Sequence, residues 1–297
     1  MLGFFDIVMV DPEPERTMNK YLSPEQITEF ERNGVLIIRN FYDECDIGAV
    51  QRGIHDVIGQ VMLKYGITDQ RGAYNPLKFD SGYLDLIKIN RSWGGEIYDA
   101  VKQIPAFMRL VAHPRHESLF SELRQGAIPG IAAGGYGIRI DCPFEDKYRA
   151  MWHQEYPAQL RSVDGLVFWS PLLDLTEAMG PVVFCPESHK LGPLPVYSAD
   201  PDGAGRSGAY ALMIKDEQQY LEKYSKIAPL TSPGDLVIID FMLLHCSGYN
   251  KSDRARWSMQ FRYFNFADPV GRSHGWKGSY AAGVDFRAVH PELFHAE

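Results

Sequence analysis

The sequence predicts an all-β core with α additions, a sandwich or barrel of short strands preceded by a helical third. Three observations carry this. Helix-capping signals and apolar repeats at three- and four-residue steps lie between about residues 20 and 125. After Gly126, short β-rich runs bounded by glycine and proline turns take over. Strand runs follow one another instead of alternating with helices, which argues against a Rossmann sheet.

Residues 11–20 read as an exposed lead-in. Ser23-Pro24-Glu25-Gln26 then supplies an N-cap, a first-turn proline and a capping-box glutamine; Ile27 and Phe30 give the apolar stripe and Gly34 the stop. Val35-Leu36-Ile37-Ile38 follows as a short buried strand. Asp43 opens a longer helix in which Ile47, Val50, Ile54, Val57, Ile58 and Val61 recur at helical spacing. From 66 to 95 the period is lost among Gly72, Pro76, Gly82, Gly94 and Gly95, and helices are predicted over 96–111 and 117–125.

Strands are predicted over 136–141, 150–155, 166–172, 182–185, 227–230, 236–241 and 256–266, with a short helix over 216–224. Gly126, Gly130, Gly134, Gly135 and Gly137 fit neither phosphate-binding glycine pattern and read as a turn entering a strand. Segment 191–208, rich in Pro, Gly and Asp, is long enough for an active-site lid or a surface insertion. Trp276 and Phe286 are candidate anchors for the tail. No repeat or linker divides the chain, so one domain is expected over 1–297: a helical third (20–125), a β core (130–266) and a tail (267–297).

With 45% apolar and 23% charged residues the chain has an ordinary globular composition, which excludes bulk disorder. A net charge of −8 with no basic cluster argues against nucleic-acid or anionic-membrane partners. No apolar run approaches the roughly 20 residues that span a bilayer. The four cysteines form no C-x-x-C pair, so neither a zinc knuckle nor a disulfide framework is suggested, and a reduced cytoplasmic setting fits them. The apolar N-terminus lacks preceding basic residues and is interrupted by Asp6, making it a poor signal peptide.

The chemistry is concentrated in Met151-Trp152-His153-Gln154-Glu155-Tyr156, answered about ninety residues later by Leu243-Leu244-His245-Cys246-Ser247 and then Arg254-Ala255-Arg256. On a strand, His153 and Glu155 would point the same way. With the distant His245 they would fill one side of a ferrous ion and leave the other positions open. His245 leaves a turn-and-buried-strand segment, 234–244, beside small residues.

In this order the motifs resemble the phytanoyl-CoA dioxygenase family of Fe(II)/2-oxoglutarate oxygenases. Three blocks carry the likeness: Trp152-His153-Gln154-Glu155; Leu166-Val167-Phe168-Trp169-Ser170-Pro171-Leu172 through Met179-Gly180-Pro181 to Pro186-Glu187-Ser188-His189-Lys190; and residues 234–250 with Arg254 and Arg256. The likeness spans roughly 20–265. It implies a double-stranded β-helix (jelly roll, cupin-like) packed by N-terminal helices. It also implies iron ligation by His153, Glu155 and His245, and pairing of Arg256, eleven residues after His245, with the 2-oxoglutarate C5 carboxylate. Ser247 and Trp169 fall where the family lines the co-substrate pocket, and Gln154, between the ligands, is a further candidate contact to the co-substrate.

The reaction so implied consumes O2 and 2-oxoglutarate, releases succinate and CO2, and hydroxylates, desaturates or cyclises a small polar metabolite. Alternatives are a metal-dependent cupin enzyme that uses no 2-oxoglutarate and a non-catalytic binding module. Two residues depart from the family pattern: Glu155 stands where aspartate is usual, and Glu187 where a turn glycine is usual. Glu155 is also not the Gly or Ala that would open a halide position. Arg139, Tyr136 and Arg161 near the iron segment, and Trp93 in the helical third, are candidate substrate contacts. His189 is expected to make a structural hydrogen bond, and Asp240 is the other acidic candidate.

Overall fold

The computed structural model describes residues 20–197, 212–278 and 285–293. Most of the predicted lead-in and residues 198–208 of the possible lid therefore lie outside the described residues.

Helix α1, Pro24–Asn33, starts as predicted: Ser23 Oγ accepts from the Gln26 amide, Gln26 Oε1 accepts from the Ser23 amide, and Gly34 closes the helix at φ 72°. Strand β1, Val35–Ile38, follows. Helix α2, Glu44–Lys64, buries Ile47, Val50, Ile54, Ile58 and Val61 along one face, the expected stripe.

The segment expected to lack periodicity is helical in part. Helix α3 is Tyr83–Ile89 and α4 is Arg91–Val101, whose first turn is capped when Asn90 Oδ1 accepts from the Ser92 amide. Gly94 sits inside α4 because a Cβ there would come within 2.7 Å of Ile87 and 3.1 Å of the Tyr83 hydroxyl. It is a close-packing glycine and not a breaker. The predicted helix over 96–111 is divided between the end of α4 and α5, Pro105–Val111, and the helix predicted over 117–125 is α6, Pro114–Leu123; each of these prolines occupies a first turn, where its missing N–H costs nothing.

Strand β2 is Pro129–Ile131, β3 Gly137–Asp141 and β4 Leu166–Pro171. Strand β5 is Val182–Phe184, with β6 and β7 a two-residue pair at Val196–Tyr197 and Met213–Ile214. Strand β8 is Leu236–Asp240, β9 His245–Ser247 and β10 Arg256–Asn265. The main sheet has six strands in the order β1-β8-β4-β10-β2, with β3 also paired to β10, and a second sheet pairs β5 with β9. Among the described residues every strand pair is antiparallel.

Two predicted strands are reduced to single bridges, His153 to His245 and Ile227 to Phe184. Beyond His153 the chain turns into helix α7, Tyr156–Gln159, because Pro157 sits in its first turn and the Glu155 and Tyr156 amides both donate to the Phe241 carbonyl.

Strand β10 shows how the sheet positions the site. Its odd residues face the helices: Trp257 packs edge-on to Tyr83 at 4.9 Å, Phe261 stacks with Phe107 at 5.5 Å, and the Tyr263 hydroxyl donates to the Val111 carbonyl. Arg256, Gln260 and Arg262, on the opposite face, line a cavity of about 230 Å³. Val167 and Trp169 of β4 and Ile239 of β8 join them, and Val182 of β5 with His245 and Ser247 of β9 complete the wall. The cavity therefore lies between the two sheets. No described helix is long and apolar enough to cross a membrane.

Candidate metal centre and its cavity

The backbone first brings the two histidines together. His153 and His245 exchange backbone hydrogen bonds of 3.0 and 3.2 Å, and their rings stand 4.2 Å apart. Each ring is held by its own chain: His153 Nδ1 bonds to the Met151 carbonyl at 2.7 Å and His245 Nδ1 to the Leu243 carbonyl at 2.8 Å. A carbonyl only accepts, so both Nδ1 atoms carry the proton and both Nε2 atoms present a lone pair. Glu155 Oε1 lies 3.9 Å from His153 Nε2 and 3.8 Å from His245 Nε2.

The three ligand atoms lie within 4.8 Å of one another, so the group can hold one metal ion. Two neutral imidazoles and one carboxylate, all from one side, suit iron(II) with open positions. The fixed Nδ1–H groups are the outer-shell hydrogen bonds that metal-bound histidines normally make.

Electrostatics keep the donors in their ligand forms. Burial alone would raise the Glu155 carboxyl, but the charge of Arg262 and its two hydrogen bonds hold it well below the usual carboxylate range. Burial pushes the His245 imidazole below its ordinary value, and the neighbouring His153 adds to this against the opposing pull of Glu155.

Arg256 is almost fully buried. It donates through Nη1 to the Gly180 carbonyl and through Nη2 to Asp141 at 2.8 Å, while its buried Nε has no hydrogen-bond partner. An unsatisfied guanidinium N–H on a cavity wall suits a carboxylate acceptor such as that of 2-oxoglutarate. Gly180 serves this arrangement through its backbone: at φ 64° it lies so close to Gly248 that a Cβ would come 2.5 Å from the Gly248 carbonyl carbon.

Among the other predicted site residues, Ser247, Trp169, Arg139 and Tyr136 line the same cavity. Arg139 is anchored by Asp141 and the Tyr148 carbonyl. Gln154 also reaches the cavity wall, yet its amide is used inside the fold, donating to Gly192 and Met242 and accepting from the Leu194 amide. Its side chain ties the segment after β5 to the ligand loop and does not present its amide to a co-substrate.

Two of the expected substrate contacts lie elsewhere. Arg161 is committed to Gln159 and the Ala133 carbonyl, and Trp93 stacks on Tyr65 at 4.2 Å; neither lines the cavity. His189 makes a structural bond to the Glu31 carbonyl, as expected, and Asp240 is taken by Arg124 and the Met242 amide. Arg254 is drawn away to Asp80.

Sequence reasoning missed Asp141, Gln260 and Arg262. The signal was present: in Arg256-Trp257-Ser258-Met259-Gln260-Phe261-Arg262-Tyr263 polar and apolar residues alternate strictly, marking a strand with one polar face turned inward.

The family model for phytanoyl-CoA dioxygenase (PhyH) matches residues 30–258. No curated protein matches the sequence. Among solved structures the chain resembles EctD from S. alaskensis with 2-oxoglutarate and 5-hydroxyectoine, at 16% identity and TM-score 0.54 over 84% of this chain and 78% of that one. It also resembles SnoK, a non-heme alpha-ketoglutarate-dependent carbocyclase from nogalamycin biosynthesis, at 18% identity and TM-score 0.53 over 82% and 85% of the two chains. The epimerase SnoN, in complex with Fe3+, alpha ketoglutarate and nogalamycin RO, matches at 15% identity and TM-score 0.52 over 84% and 87%. At these identities the likeness is one of fold.

Proposed function

The chain belongs to the phytanoyl-CoA dioxygenase family, and from that premise we propose that it is an iron(II)- and 2-oxoglutarate-dependent oxygenase acting on a small polar metabolite, with release of succinate and CO2. The observation that carries this is the meeting of His153 Nε2, His245 Nε2 and Glu155 Oε1, with both rings fixed through Nδ1. The main sheet facing the β5–β9 pair across the cavity is read as the two halves of a double-stranded β-helix, forming one catalytic unit with the helices. The fold neighbours hold 2-oxoglutarate or alpha ketoglutarate, which supports the same co-substrate here.

When bound, iron(II) and 2-oxoglutarate supply oxidative decarboxylation coupled to oxidation of a substrate C–H bond. The chain's own part is to hold and to shield. His153, Glu155 and His245 hold the metal. Arg256 Nε, with Ser247 nearby in the wall, takes the distal carboxylate of the co-substrate. Trp169, Val167, Ile239 and Val182 keep water from the reacting face. Arg139 and Tyr136, on the glycine-rich part of the wall, orient the substrate; a guanidinium there favours an anionic or polyhydroxylated molecule. Hydroxylation, desaturation and ring closure all share this apparatus. With free cysteines, three of them buried, a reduced cytoplasmic setting fits.

The test is turnover of 2-oxoglutarate by the whole protein without added substrate. Slow succinate formation that needs iron(II) and disappears in His245→Ala is expected. Iron binding with no succinate from the wild type would favour the enzyme class that uses no 2-oxoglutarate.

A further inference from the structure

We propose that Arg262 is the positioning residue of the metal centre, fixing Glu155 so that one of its oxygens meets the two imidazoles. This rests on the reading of His153, Glu155 and His245 as an iron site and adds a residue that acts through one of the ligands.

A glutamate side chain has three torsions, and left alone it samples many positions. Here both ends are held. The Glu155 amide donates to the Phe241 carbonyl at 2.9 Å. At the other end Arg262 Nε donates to Oε2 and Arg262 Nη2 to Oε1, each at 2.8 Å. Two parallel bonds from a planar fork set the plane of the carboxylate as well as its place. A carboxylate offers about four acceptor directions, so two bonds from arginine leave Oε1 able to face the histidines.

Arg262 is itself fixed. Its Nη1 donates to the Gly135 carbonyl at 2.9 Å and its Nη2 to Gln260 Oε1 at 2.8 Å. It lies inside the main sheet, opposite Val167 of β4, and its carbonyl accepts from the Ala132 amide. The fork is aimed at a metal ligand and used there, which separates Arg262 from Arg256, whose Nε is unsatisfied.

Anaerobic titration of cobalt(II) into the apoprotein, read by visible absorption and calorimetry, tests this. Arg262→Gln is expected to weaken cobalt about 10–100-fold, the usual loss when an outer-shell partner is removed, and to change the ligand-field spectrum. Arg262→Lys should not restore it, because an ammonium is a point charge without the fork. In a Glu155→Ala background, Arg262→Gln should cost no further affinity. Wild-type affinity and spectrum in Arg262→Gln, or an equal loss in the Glu155→Ala background, would overturn the proposal. If Arg262→Gln does not fold, Arg262→Lys, which keeps the buried charge, decides alone: about tenfold or weaker binding supports the proposal and wild-type binding overturns it. His245→Ala separates the two readings, since undiminished cobalt binding there removes the iron site itself.

Discussion

Asp141 stands between two guanidiniums, 2.8 Å from that of Arg256 and 2.7 Å from that of Arg139. Burial raises its carboxyl, but the charges of Arg139 and Arg256 outweigh burial and hold it at about 2. An unfolded aspartate titrates near 3.9. As pH falls the unfolded chain therefore takes up this proton first, and the stabilisation, full above pH 4, is lost as pH falls through about 2. The contribution is about 2 kcal/mol. Asp141→Asn removes it, so the stability gap between wild type and variant, measured by urea unfolding, should shrink by about that amount from pH 5 to pH 2. A gap independent of pH would show that Asp141 is not held by its arginines. Asp141 also helps to fix the Arg256 guanidinium, whose Nε has no hydrogen-bond partner.

The turn after β5 shows what one residue does to an element. Glu187 sits there at φ 71°, left-handed backbone that costs a side chain roughly 1–2 kcal/mol. In return its carboxylate meets Lys190 at 3.2 Å, with both side chains about half exposed, an ion pair worth little. Glu187→Gly is expected to raise unfolding stability by about 0.5–1 kcal/mol, after the greater freedom of glycine in the unfolded chain is subtracted. A loss of stability would show that the turn depends on the glutamate. The turn was legible through the family resemblance of Pro186-Glu187-Ser188-His189, and α1, α2, β1, β4 and β8 through local apolar patterns, with the Ser23 cap for α1; Asp43 makes no side-chain capping bond to α2. The break between α4 and α5 was missed although Pro105 marks it, since the apolar pattern runs on through the proline. The strand expected over 150–155 is a single bridge, because the Phe241 carbonyl, far away in sequence, takes the Glu155 and Tyr156 amides and turns the chain. The ligands still converge. The reason is tertiary and not the strand alternation expected from their spacing.

At the scale of the whole molecule the site exists only where distant segments meet. His153 and Glu155 come from the loop before α7, His245 from β9, and Arg256 and Arg262 from the start and the interior of β10. The helices cover one face of the main sheet through Trp257, Phe261 and Tyr263, and so leave the opposite face of β10 for polar residues. The grouping of His153, Glu155 and His245 could be read from sequence because each belongs to a short ordered motif. Asp141 and Arg262 could not, because their partners are set by strand register: Arg256 faces Asp141 across β10 and β3, and Arg262 reaches Glu155 from the middle of the sheet. Metal and co-substrate should thus bind as one unit, the ion through two imidazoles and Glu155, and the acid through the ion and Arg256. The most direct measurement is an anaerobic titration of 2-oxoglutarate into the iron(II)-loaded protein, followed in the visible range. One equivalent of 2-oxoglutarate should produce a metal-to-ligand charge-transfer band that is absent without iron and absent in His245→Ala. No band from the loaded wild-type protein, or an unchanged band in His245→Ala, would contradict the account.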